Sequence, residues 1–475
     1  MFLDDAGRHL RPAVSYPAGK ERNMHIRAGI PALTAIAAAV LLASTALAAT
    51  HRVPSAYATI QAAINACVAG DTVLVASGTY QGDGNRDLSF GGVDLVLASE
   101  AGAQSTIIDC GAEVRHRGLI FQHGETRASV VDGFTIQNGY HAGGGIRMEM
   151  YASPTIRNCI LTNNVGWPND VQGAFGGAAI SEWGPGSPLI ENCLITSNDG
   201  AQTGYGAVYL DNPAAAEINH CTLSSNVGGG QGGAISLSTT GSLTVRNCVI
   251  EGNEALVGGG IYGGSVTIEN CEITRNQADD GGGVTLDQTS SITGSTIARN
   301  FADRLGGGAL LVDCTVDRCI LRENCSPSTS DLGAAGRVQL SCCAVSDSGV
   351  GIQGPGSITW TGPQVSGNPR FCDLPACPHF MDGPAGDYHL RSDSPCLAQF
   401  SPCHALIGYW DQGCSAPAPV GACCLSANTC ILTTQADCAA QHGIYGGDGV
   451  PCFPTPCVPV PTKVMTWGKI KSTFR

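Results

Sequence analysis

The sequence predicts an all-β solenoid, and three observations carry that expectation. One short phrase recurs along the chain at steps of two to three dozen residues. Apolar side chains alternate with period two inside the phrase, and a glycine cluster follows it. Of the 475 residues 64 are Gly, aromatics make up 6% and charged residues 13%, about half the share usual in soluble proteins. Such a composition suits short strands and tight turns.

The phrase is clearest around its cysteines: "TIRNCILTNN" (Cys159), "LIENCLITSN" (Cys193), "EINHCTLSSN" (Cys221), "TVRNCVIEGN" (Cys248) and "TIENCEITRN" (Cys271). "SITGSTIARN" follows with Ser295 in the cysteine place, then "TVDRCILREN" with Cys319. The steps are 34, 28, 27, 23, 24 and 24 residues. An aliphatic residue stands three before and two after each cysteine. An asparagine stands five after it, at Asn164, Asn198, Asn226, Asn253, Asn276, Asn300 and Asn324. Glycine clusters such as "GGGI" at 258 and "GGGV" at 281 come next, each leading into a second apolar alternation.

A period of two is that of a strand, and it excludes helical-pair repeats, whose period is 3.6. Strand, turn, strand, turn in about 24 residues makes one coil of a parallel β-helix, whose neighbouring coils stack about 4.8 Å apart. The aliphatics are then inward columns, and the cysteines a reduced inward stack of small apolar residues. The asparagines form an amide ladder at a turn, and the glycines supply turn dihedrals. Arg157 is expected over Glu191, Arg246 over Glu269, and Asp280 facing Arg304.

Both ends of a solenoid need caps. In "PSAYATIQAAINACVAGD", Ser55 reads as a helix N-cap, Ile60, Ile64 and Cys67 as the buried helix face, and Gly70 as its stop. "TVLVASGTY" then reads as the first strand. Ahead of this, residues 1–48 read as an export signal: a basic start after Met24, an apolar stretch from Ile30 to Leu42, and an A-x-A site at Ala46-Leu47-Ala48. Asp4, Asp5 and Glu21 do not suit such a signal, so translation is expected to begin at Met24; unchanged expression after replacing Met24 would refute this. No other stretch is long and apolar enough to span a membrane. The 23 cysteines all lie beyond the signal, and export permits disulfides. Their odd number leaves at least one thiol unpaired or paired between chains. The pairs Cys314/Cys319, Cys372/Cys377 and Cys452/Cys457 share a five-residue step that suits disulfides, with the partners left open.

After the solenoid, expected over 51–415, comes a linker at 416–422. A six-cysteine module follows at 423–457 (Cys423, Cys424, Cys430, Cys438, Cys452, Cys457), too small for a large core without staples. It has no C-x2-C, which argues against zinc. A basic tail, 458–475, carries Lys463, Lys469, Lys471 and Arg475.

The pattern resembles the right-handed parallel β-helix superfamily of pectin-lyase-like proteins. "IQAAINACVAGDTVLVASGTY" is similar to the usual opening of its bacterial members, and "NPRFCD…GDYHLRSDSPCL" to their closing coil. The "GGAI" and "IxxN" alternation also resembles the repeats of polymorphic outer-membrane adhesins. The resemblance implies a single-stranded right-handed parallel β-helix. It leaves function open, because this scaffold carries lyases, hydrolases, adhesins and inert shells.

Functional candidates cluster early. Residues 139–209 hold seven aromatics, Tyr140, Tyr151, Trp167, Phe175, Trp183, Tyr205 and Tyr209, whereas 210–359 hold only Tyr262 and Phe301. The longest steps lie there too, and "NNVGWPNDVQGAFGG" reads as a loop over one face. Aromatic rings with polar edges suit sugars. Anchoring coils on their glycines puts Ile146, Ala179 and Val208 in one inward column, and Glu149, Glu182 and Asp211 in one outward column beside Arg147 and Tyr209. Stacked carboxylates of this kind call for a cation or raised pKa values, and Ca2+ is the candidate. By resemblance to the lyases of this fold, Arg147 would abstract the proton; a hydrolase would use two carboxylates. The Gly-His-Gly and Arg-x-Lys signatures of polygalacturonases are absent from the sequence.

The leading expectation is a non-catalytic, exported or cell-surface binder of polysaccharide or another cell-surface glycan, as a monomer. A Ca2+-dependent lyase or a glycosidase is the alternative, and a passive spacer the third. A net charge of −14 argues against nucleic acid as partner. "GGGQGG" at 228–233 belongs to the repeated turn and opens no helix, which excludes a nucleotide loop. His116, His123 and His141 are scattered and read as solvated turn residues.

Overall fold

The computed structural model of the protein describes residues 48–112, 115–167, 176–238, 240–373, 386–414, 421–426 and 429–448. The expected signal up to residue 47, Phe175 with most of its loop, Cys377, Cys452, Cys457, most of the expected linker and the basic tail lie outside the described residues.

Three long parallel sheets run the length of the solenoid. The first has 13 strands, from Thr50–Val53 to Ser357–Trp360; the second has 11, from Gly78–Gln81 to Ala344–Val345; the third has 11, from Leu88–Ser89 to Val350–Ile352. Each strand pairs in parallel with its equivalent in the next coil, as Leu243–Arg246 does with Val266–Glu269. A coil therefore contains three strands where the sequence suggested two. The repeated phrase is itself two strands, broken at the residue before the cysteine. Asn158, Asn192, Asn247 and Asn270 sit there with φ between +50° and +54°. A single left-handed residue turns the chain from the first sheet into the second, and asparagine tolerates that conformation better than most side chains. A second such corner precedes the ladder asparagine, at Asn163, Ser197, Ser225, Arg275 and Arg299.

The inward columns are filled as expected. Ile156, Ile190, Ile218, Val245, Ile268, Ile292 and Val316 line the first sheet, and Leu161, Ile195, Leu223, Ile250, Ile273, Ile297 and Leu321 the second, all buried. Cys159, Cys193, Cys221, Cys248, Cys271 and Cys319 are buried and unbonded to one another. Each thiol donates to the carbonyl two residues back, at 3.1 Å for Cys159 to Arg157. The asparagine ladder is continuous. Each side-chain amide donates to the next Oδ1 at 2.9–3.0 Å from Asn164 to Asn324. The next Oδ1 also accepts the backbone N–H of the preceding asparagine. The Gly139 N–H caps one end and the buried Asp331 carboxylate the other.

The glycines serve two needs. Gly258 has φ +67°, and a Cβ on the next residue, Gly259, would meet the carbonyl oxygens of Gln277 and Gly282 at 2.4 Å. Coils approach too closely there for any side chain. Outward charges follow the register in part. Arg246 meets Glu269 at 3.9 Å and Arg304 pairs with Asp280, but Arg157 turns back to Asp132 at 2.8 Å instead of forward to Glu191.

The caps differ from expectation. The first rung is Thr50–Val53, ahead of the helix, and the helix is only Ile60–Ile64. Its N-cap is Thr59, whose hydroxyl accepts from Ala62 N–H at 3.3 Å, rather than Ser55. Ile60, Ala63 and Ile64 cover the open end of the core. At the other end the described residues add no closing coil. Phe371–Asp373, Asp387–Arg391 and Gln412–Cys414 form a separate small sheet. Phe371, Tyr388, Leu390, Cys396, Leu397 and Ile407 of this segment pack on Ala298, Ile320 and Ala344, outward residues of the second sheet. Cys342–Cys403 ties the segment to the solenoid and Cys372–Cys414 closes it upon itself. The five-residue pairing is thus overturned where it can be checked: Cys372 bonds Cys414, while Cys314 and Cys319 are free because both point into the core. In the six-cysteine region, Gly421–Ser426, Thr429–Thr433 and Ile444–Asp448 make an antiparallel sheet, with Cys423 bonded to Cys438 on the helix Gln435–Ala440. No helix among the described residues is long and apolar enough to cross a membrane.

Candidate functional site

The candidate residues lie on the third sheet, in the strands Ile146–Glu149, Ile180–Trp183 and Val208–Asp211. The register is Ile146, Ile180, Val208 in one column, then Arg147, Ser181, Tyr209, then Met148, Glu182, Leu210, then Glu149, Trp183, Asp211. The expected column through Ala179 is therefore wrong by one residue. Ile180 takes the inward place because it buries more apolar surface there than Ala179 would. The consequence is that Glu182 points into the core while Trp183 points outward. The three-carboxylate column does not exist.

Glu182 is 1% exposed, in a column with Phe121, Met148 and Leu210. Its Oε1 accepts from the Gly186 N–H at 3.1 Å, and its Oε2 has no partner. Burial pushes its pKa up to about 8, and the nearby Asp211 charge adds to the shift. A carboxyl sealed inside the solenoid is out of reach of a substrate. Glu149 and Asp211, two rungs apart, stand about 9–10 Å from one another along the column, with Trp183 between them. Glu149 is already paired with Arg147. These residues do not fit a shared Ca2+, which needs oxygens within 2.3–2.6 Å of the ion. Arg147 is engaged twice, by Glu149 and by the Trp183 ring, whose centre lies 5.7 Å from its guanidinium carbon.

The aromatics do assemble. Trp183 meets Tyr209 edge-on at 5.9 Å between ring centres, and Tyr209 lies 4.1 Å from Tyr205. The Trp183 indole N–H is fixed by Ser181 Oγ at 2.9 Å. Tyr140 and Trp167 stack at 5.1 Å in the neighbouring corner. Tyr209 is buried beneath this shelf, and Trp183, Tyr205, Tyr140 and Trp167 are half-exposed. Tyr151 stands apart in the turn after Glu149, 69% exposed, and follows Met150, 65% exposed. Both have positive φ, +69° and +50°. That conformation is uncommon for bulky side chains.

Sequence reasoning missed Arg117 and misjudged His141. Arg117 is nearly buried beside Arg147, and its Nε has no hydrogen-bond partner. Burial, followed by the like charge of Arg147, lowers its pKa to about 10. His141 is half-buried, and burial with the Arg117 and Arg147 charges lowers its pKa to about 4. It is a neutral ring at physiological pH, with Nδ1 accepting from Ala142 N–H at 2.8 Å. These residues come from separate coils, so no local spacing announces them. His116 pairs with Asp87 at 2.6 Å and His123 lies 3.8 Å from Glu125; neither joins this group.

A family model described as "right handed beta helix region" matches residues 97–262 and again 206–370. Comparison with curated proteins finds no match to the chain. The two matched spans overlap within the three-sheet solenoid and together take in more than half of the sequence. The chain belongs to the right-handed β-helix family, within the pectin-lyase-like superfamily.

Proposed function

We propose that the protein is an exported or cell-surface binder of polysaccharide, and that Trp183 and Tyr205, resting on the buried Tyr209, make the contact together with the Tyr140–Trp167 pair. The observation that carries this is the grouping of four half-exposed rings over neighbouring coils, with Arg147 and Arg117 alongside. Ring faces suit the C–H patches of sugars. The disulfides at Cys342–Cys403 and Cys372–Cys414 are compatible with an oxidising compartment. A catalytic function is less well supported. The acid expected at Glu182 is inside the core, and the Arg147 side chain is occupied by Glu149 and Trp183.

The test is retention of the exported chain on a panel of neutral and acidic polysaccharide matrices, alongside Trp183→Ala and Trp167→Ala. Retention by one matrix, lost in both variants while circular dichroism is unchanged, is the expected result. Passage of the unaltered protein through every matrix would favour a spacer. Release of new reducing ends or unsaturated ends from any polysaccharide would replace binding with hydrolase or lyase chemistry.

A further inference from the structure

The first rung offers a site unrelated to the aromatic shelf. Asp71, only 4% exposed, collects three donors. The Ala49 backbone N–H reaches its Oδ1 at 2.7 Å, the Val68 N–H its Oδ2 at 2.9 Å, and His51 Nε2 the same oxygen at 3.1 Å. His51 Nδ1 is in turn bonded to the Tyr57 hydroxyl at 2.9 Å. The Ala49 carbonyl accepts from Thr72 N–H at 2.8 Å, so Ala49 is held on both sides at the start of the edge strand Thr50–Val53. None of the three donors carries a permanent positive charge. The carboxylate lies below its usual pKa range, through the Val68 and Ala49 N–H groups first and His51 next. A permanent cation at the Ala49 nitrogen would add a full charge to these donors.

Ala49 is also the residue after the A-x-A sequence Ala46-Leu47-Ala48. We propose that removal of the leader at the Ala48–Ala49 bond creates that cation: the new α-ammonium of Ala49 seats on Asp71 and locks the N-terminal cap. A signal peptidase adds water across the amide. The C–N bond breaks, Ala48 leaves with a carboxylate, and the Ala49 nitrogen keeps its place as an ammonium group. A 2.7 Å contact is already the length of a charge-assisted hydrogen bond. Before cleavage Asp71 holds a neutral amide; afterwards it holds a full charge. Maturation thereby tightens the edge strand whose Val53, with Ile60 and Ile64 of the helix, covers the end of the core.

The inference is independent of glycan binding, and the experiment uses the exported full chain. Its intact mass is expected to begin at Ala49. Its α-amine, followed by pH-dependent acetylation in the presence of chelator, is expected to titrate at least about one unit above the 7.7–8.0 of a free terminus. The groups facing it are Asp71, His51, Tyr57 and the Cys67 thiol, which lies within 4.8 Å of a ring nitrogen of His51 and a carboxylate oxygen of Asp71. In Asp71→Asn the amine should return to the free range. The unaltered protein should lose thermal stability as pH rises from about 8 through the raised value, and the Nα-acetylated protein should not. A mature mass beginning elsewhere, or an amine of the unaltered protein titrating at 7.7–8.0, would overturn the proposal, and neither measurement needs a variant to fold.

Discussion

Two stretches of one solenoid show what regularity does and what irregularity allows. From Cys248 to Cys319 the coils step by 23 or 24 residues and repeat the same corner, small inward residue and amide at each rung. From Cys159 to Cys221 the steps are 34 and 28, and the third sheet there carries a buried carboxyl and a shelf of rings. The regular coils are held by contacts that every rung repeats. The early coils keep the same asparagine ladder and aliphatic columns but place unlike residues on the outer face. Stability thus resides in the repeated positions, and the departures from the repeat carry the proposed contact surface.

The sharpest way to break this contrast is within the regular coils. Asn276→Ala removes the Oδ1 that accepts both the backbone N–H and the side-chain amide of Asn253. Two buried donors lose their partner, and a loss of about 2–4 kcal/mol by chemical denaturation is expected. A neutral result would mean that the ladder does not hold the rungs together.

In the early coils the corresponding probe is Glu182→Gln. A folded-state pKa of about 8 lies above the ordinary glutamate value of 4.5. The native state therefore binds the proton more tightly than the unfolded chain. The stability this contributes is complete below about 4.5 and is lost as pH rises through 8. The unaltered protein should weaken by a few kcal/mol over that window, each pKa unit being worth about 1.4 kcal/mol. Glu182→Gln should flatten that part of the profile. An unchanged profile would show that the carboxyl finds water or a partner.

Trp183→Ala should weaken binding to the retaining matrix by roughly tenfold or more, about 1–2 kcal/mol. It should leave the unfolding midpoint of the regular coils nearly where it was. The smallest effect is expected of Cys271→Ser, below about 1 kcal/mol. Ser295 already fills the next place in that column, accepting from Cys271 N–H at 3.1 Å and donating to the Thr293 carbonyl at 3.0 Å. A large loss would show that the thiols differ from merely small apolar fillers.

Much of the fold was legible because a stacked solenoid makes local sequence and spatial neighbourhood nearly the same thing. Ile268, Ile273 and Asn276 recur at the same offset in the next coil as Ile292, Ile297 and Asn300, and each lands on its equivalent. The corner before the cysteine was harder to see. A single residue with positive φ, such as Asn247 or Asn270, splits one apparent strand into two, and its only trace in the sequence is a step of three instead of two between inward residues, as from Ile268 to Cys271. The C-terminal segment was misplaced for a different reason. Its strands match a closing coil in composition, but they pack on Ala298, Ile320 and Ala344 from outside.

The sequence by itself determined the all-β solenoid, its inward columns, its amide ladder and the unequal share of aromatics, since each follows from a repeat read against a period of two. Only the tertiary structure decided which way Glu182 and Trp183 point. A one-residue slip in a strand exchanges its two faces, and the choice between Ala179 and Ile180 rests on apolar burial against neighbouring coils. It alone also brought Arg117 and His141 to Arg147, and Asp71 to Ala49, because those contacts join residues that no shared spacing connects.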